Sequence, residues 1–131
     1  MNRGVRGLPL RAPAALSARG GQERVHVATN VAGTKVLRLA AGNAFDLTLT
    51  GNTTIVLPPI IRGRLLSFLV IARQDATGSR TITWSAPGGL IWTGGAAPTA
   101  STTASSVDAY TFWSDGRDLK WQGTQVGKGY A

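Results

Sequence analysis

From Lys35 onward the chain is cut into short runs with apolar residues at every second position, each run closed by glycine, proline or an aspartate-containing turn. A period of two is the signature of strands, whose successive side chains point to opposite faces. Phe45, Leu47 and Leu49 alternate with Asp46, Thr48 and Thr50, and Gly51-Asn52 reads as a turn leading into a strand over Thr54–Leu57 that Pro58-Pro59 ends. Arg64–Arg73 is apolar at both parities, with Leu66, Phe68 and Val70 on one side and Leu65, Leu69 and Ile71 on the other. Such a segment is either the centre of a sandwich or a strand with its second face against a neighbouring subunit. A buried helix is the rival reading, which the β-branched and aromatic content and the flanking turns disfavour. Further strands are predicted at Arg80–Trp84, Leu90–Trp92, Val107–Trp113 and Leu119–Trp121, the last two joined by the Ser114-Asp115-Gly116-Arg117 turn. Seven or eight short strands in a 131-residue chain predict one all-β domain, an antiparallel β-sandwich or jelly-roll-like fold.

Charge divides the chain differently. Arg3, Arg6, Arg11, Arg19, Arg24, Lys35 and Arg38 stand against Glu23 alone, whereas the rest of the sequence is nearly balanced; the net charge is +8. Residues 1–34 are therefore expected to form an extended basic arm, and residues 35–131 the sandwich. Pro9, Arg11 and Pro13 interrupt any signal-peptide core, and the two prolines oppose the amphipathic helix of a transit peptide. The favoured reading is an arm that orders on a partner, with Arg3, Arg6, Arg11, Arg19 and Arg24 pairing to carboxylates or phosphates. The first 21 residues hold no aromatic side chain, so nucleic acid is a less favoured partner.

Residues that carry chemistry are few. Cysteine is absent, which removes disulfides and thiolate sites. His26 stands alone, without acids at ligand spacing, and reads as a solvated or interface side chain. Asp75 and Asp115 belong to turns, and an Asp115/Asp118 carboxylate pair would sit on an exposed hairpin without a cleft. Asn52-Thr53-Thr54 fits a glycosylation sequon but reads as turn chemistry. No catalytic residue, metal site or cofactor is expected, and no apolar run reaches the roughly 18 residues of a helical membrane span. Recognition residues remain: Leu65, Leu69 and Ile71 as a subunit interface, and Trp92, beside Gly94-Gly95 and the polar loop to Ser106, as a platform for sugar rings. For Trp84, Trp92, Trp113 and Trp121 the first reading is core, large rings filling the space between strands, and the platform is its rival.

The segments FDLTLTGNTTIVLPP, FLVIARQDATGSRTITW, Trp92-Thr93-Gly94-Gly95 with Pro98, and VDAYTFWSDGRDLKW, which together span Phe45–Trp121, resemble a β-module recurrent in structural proteins of tailed bacteriophages. The resemblance implies a non-enzymatic virion component and a trimeric sandwich or jelly roll. In fibres the module usually ends a long chain, whereas here it follows a short basic arm. The first expectation is accordingly an accessory capsid decoration (cement) protein, a homotrimer clamped to the particle by its arm. The alternative is a tail-fibre or tail-spike receptor-binding module that recognises host surface glycan. A third reading has the arm meeting packaged DNA.

Overall fold

The computed structural model describes residues 23–131, an all-β body of seven strands. They are β1 (Val25–Val36), β2 (Ala44–Val56), β3 (Leu66–Gln74), β4 (Ile82–Ser85), β5 (Leu90–Trp92), β6 (Val107–Ser114) and β7 (Trp121–Tyr130). Among the described residues, helical structure is limited to the 3-10 turns Leu39–Ala41 and Thr93–Gly95. The main sheet runs β1-β2-β3-β6-β7-β5, and β4 pairs with β2 alone.

The expected all-β class and strand number hold, but the pairing is mixed. β3/β6 and β6/β7 are antiparallel, whereas β1/β2, β2/β3, β2/β4 and β5/β7 are parallel. Hairpin turns are therefore rarer than the turn residues suggest. Gly51-Asn52 does not reverse the chain: β2 continues through it, pairing β3 over Ala44–Leu49 and β4 over Thr53–Val56. The pair marks a corner between two layers. Asn52 Oδ1 accepts from Thr81 N at 3.0 Å, and a Cβ on Gly51 would lie 2.9 Å from the Ala32 Cβ of the neighbouring strand.

Residues 25–34, expected in the arm, form most of β1. The strand follows β2 around the same corner, with register shifts on either side of Val31 and Gly33 at φ +73°. The bend brings its ends together: the Lys35 and His26 side chains lie 3.4 Å apart, although nine extended residues would span about 30 Å.

Between the layers lies one core. Phe45, Leu47 and Leu49 from β2, Phe68 and Val70 from β3, and Tyr110 and Phe112 from β6 point inward, closed by Val31, Leu37, Ile55, Leu57, Trp92 and Trp121. Phe68 stacks on Phe112 at 5.0 Å between ring centroids and meets Trp121 edge-on at 4.9 Å. The Trp121 indole N–H donates to Pro58 O at 2.8 Å, so its burial leaves no orphaned donor.

Candidate functional site

The outer face of the sheet is the first candidate surface. Alternation in β3 sends Leu69 and Ile71 outward, opposite Phe68 and Val70, and leaves both half-buried. Register places Val25, Ala44, Leu69, Thr111 and Thr124 in one row across the sheet, and Val27, Asp46, Ile71 and Ala109 in the next. A further row carries Ser67, Trp113 and Gln122. Val27 is 60 % exposed, Trp113 45 %, and Val25 and Val126 are exposed as well. Arg73 crosses this face to Asp46 with a two-point ion pair at 2.7 and 3.0 Å. The predicted interface residues thus share one side of β3, with Leu65 just ahead of the strand and 76 % exposed.

Trp92 takes the core position of its first reading and does not form the sugar platform that was its rival. Its ring is 9 % exposed and packs edge-on against Trp84, Tyr110 and Phe112, because β5 turns it inward. Only its edge reaches a cleft of about 250 Å³ that Thr93, Pro98, Gly123, Thr124 and Gln125 also line. Trp121 is buried and Trp84 half-buried, so the exposed indole is Trp113. Parity could have found it: in VDAYTFW, Trp113 alternates with the inward Tyr110 and Phe112.

The polar loop behind the cleft is fastened to the body. Gln74 Nε2 donates to Arg80 O and to Ser101 O, and Ser105 N donates to Asp75 O. Asp75 closes its own turn through Thr77 N and Gly78 N and holds Arg80 at 2.9 Å, so its carboxyl lies below the usual range, chiefly through that arginine. Asp108, which sequence reasoning passed over, is 2 % exposed and gathers Ser101 N, Tyr110 Oη–H, Gln125 Nε2 and Gly129 N. Burial opposes its ionisation, yet the amides of Ser101 and Gly129 and the tyrosine hydroxyl bring its pKa below the ordinary value. Burial is also the main reason that the Tyr110 hydroxyl resists ionisation.

Of the arginines expected to bind a partner, Arg24 is exposed, with its carbonyl accepting from Asn43 N. Arg3, Arg6, Arg11 and Arg19 lie outside the described residues. Asp115 accepts from Arg117 N, as a turn aspartate should. Among the described residues no helix is long and apolar enough to cross a membrane.

Residues 29–118 match the family model described as "Putative phage tail fibre C-terminal domain". No curated protein and no solved structure matches the chain. The match favours the fibre alternative over head decoration, and it is to a structural family of the virion rather than to an enzyme family. Because it runs over well more than half of the sequence, from within β1 past the end of β6, the chain belongs to the phage tail fibre C-terminal domain family.

Proposed function

We propose that this domain is the receptor-facing module of a tail fibre, self-associating through the outer face of its sheet and recognising host surface glycan. The family match carries the fibre assignment. The apolar rows around Leu69, Ile71 and Trp113 support self-association, since a sheet covered by only one layer of its own chain leaves such a face for a neighbour. The homotrimer is the state proposed, with Leu65, Leu69 and Ile71 in its contacts. The basic leader with Arg3, Arg6, Arg11, Arg19 and Arg24 is proposed to join the module to the adjoining virion protein.

For the glycan, loops and clefts around the fold replace the flat ring of Trp92. The cleft beside Thr93, Thr124 and Gln125 offers hydroxyl and amide groups next to an aromatic edge, a composition suited to sugar hydroxyls. The test is retention of the purified chain on a panel of immobilised bacterial surface polysaccharides, together with immunogold labelling of virions. Saturable retention on at least one polysaccharide and label at fibre tips are expected. Label spread over the capsid would return the protein to head decoration, for which the family match gives no support.

A further inference from the structure

We infer that the seam where the two ends of β1 meet is a binding pocket for an anionic group, the carboxylate or phosphate of an acidic host saccharide. The inference rests on the receptor-facing reading above and assigns part of its ligand chemistry. The pocket, of about 220 Å³, is lined by His26 from the start of β1, Lys35 and Val36 from its end, Arg38 and Ala41 around the Leu39–Ala41 turn, and Phe45 at the start of β2. The corner in the β1/β2 ribbon creates it, by folding back a strand that would otherwise hold Lys35 far from His26.

Its chemistry is one-sided. Lys35 Nζ lies 3.4 Å from His26 Nε2, which sets an ammonium beside an imidazole at the mouth of the pocket. The half-buried ammonium supplies N–H donors, and the Arg38 guanidinium adds its fork from the exposed rim. Among the described residues no carboxylate pairs with Lys35 or Arg38: Asp46, next to Phe45, points to the opposite face and is held by Arg73. The floor is apolar, formed by buried Phe45 with the His26 ring packed against it at 6.1 Å. Two cations over an aromatic floor fit a sugar that presents an acid from one edge and C–H groups from its face. A neutral glycan would use none of the charged donors.

The experiment is an amide-resolved NMR titration of the full chain with three probes: a glucuronate-containing oligosaccharide, its carboxyl-reduced neutral counterpart, and inorganic phosphate. Saturable shifts confined to residues 26, 35–41 and 45 are expected with an anionic probe and not with the neutral one. Preference for the glucuronate probe assigns a carboxylate sugar, and preference for phosphate a phosphorylated one. Lys35→Gln and Arg38→Gln should each weaken binding by about tenfold, with the rest of the spectrum unmoved. Lys128→Gln, an exposed charge at the far end of β7, should leave it unchanged. Absence of saturable shifts at the pocket, unchanged affinity in the double variant, or equal weakening by Lys128→Gln overturns the inference. Retention of an acidic polysaccharide that survives undiminished in the Lys35→Gln/Arg38→Gln double variant overturns it too and leaves the receptor reading standing. Loss of all retention while the pocket still binds a probe would end the receptor reading alone.

Discussion

Asp108 and Gly116 hold the body together in different ways. The Asp108 carboxylate takes four hydrogen bonds under the 96–106 loop, from Ser101 N at 2.7 Å, Gly129 N at 2.8 Å, Tyr110 Oη–H and Gln125 Nε2. Its folded-state pKa lies below the unfolded one, so the stability it adds is present above the unfolded pKa, about 4, and is lost as pH falls through the folded value. Melting temperature should therefore drop as pH falls below about 4, and Asp108→Asn should flatten that drop and cost about 2 kcal/mol at pH 7. Thermal melts across pH check both. Gly116 works by space. It sits at φ +76°, and a Cβ there would lie 2.6 Å from Arg64 N and 2.7 Å from Arg64 O. Gly63 has a similar φ of +81° with nothing within 4 Å. Gly63→Ala should cost about 1 kcal/mol, from conformation alone, whereas Gly116→Ala should cost on the order of 3 kcal/mol because the facing backbone must move. Urea midpoints of the two variants separate conformation from contact.

Among the elements, β1 and β2 decide the architecture, and they are where sequence and structure part. Strand positions were legible because alternation survives in β3 and β6 almost residue by residue: Phe68, Val70, Tyr110 and Phe112 point in, Leu69, Ile71, Thr111 and Trp113 out. Partners were not legible. Gly51-Asn52 is as suitable for a corner as for a hairpin, since glycine permits close approach and asparagine bonds a backbone N–H in either case. Only the distant partner, Thr81 N, decides between them. β1 was hidden by its charge surroundings, although Val25 and Val27 already alternate with His26 and Ala28. A chain beginning at Glu23 should keep the β signature in circular dichroism and its cooperative melt. One beginning at Leu37 removes β1, bares the hydrogen-bonding edge of β2 along both halves, and takes Val31 from the core. It should aggregate or remain unfolded, as an uncovered sheet edge does. A soluble, cooperatively melting product from that second chain would contradict the topology.

At the scale of the whole molecule, the outer face and the net charge act in opposite directions. Val25, Val27, Leu69, Ile71 and Trp113 give the sheet an apolar surface that gains from being covered, while each copy carries a net charge of +8 that repels the next. If covering that face drives association, added salt screens the repulsion and should tighten the oligomer, since the apolar contribution is not screened. An assembly held by ion pairs would loosen instead. The Arg73–Asp46 pair on this face is partly exposed and worth at most about 1 kcal/mol, too little to reverse the trend. Leu69→Glu places a carboxylate in the middle of the apolar rows while leaving Phe68 and Val70 in the core, so the chain should stay folded and become monomeric. Sedimentation velocity at two salt concentrations tests both expectations. A wild-type chain that stays monomeric at tens of micromolar in either salt, or a Leu69→Glu chain that associates as wild type does, would show that this face is not the one that neighbours cover.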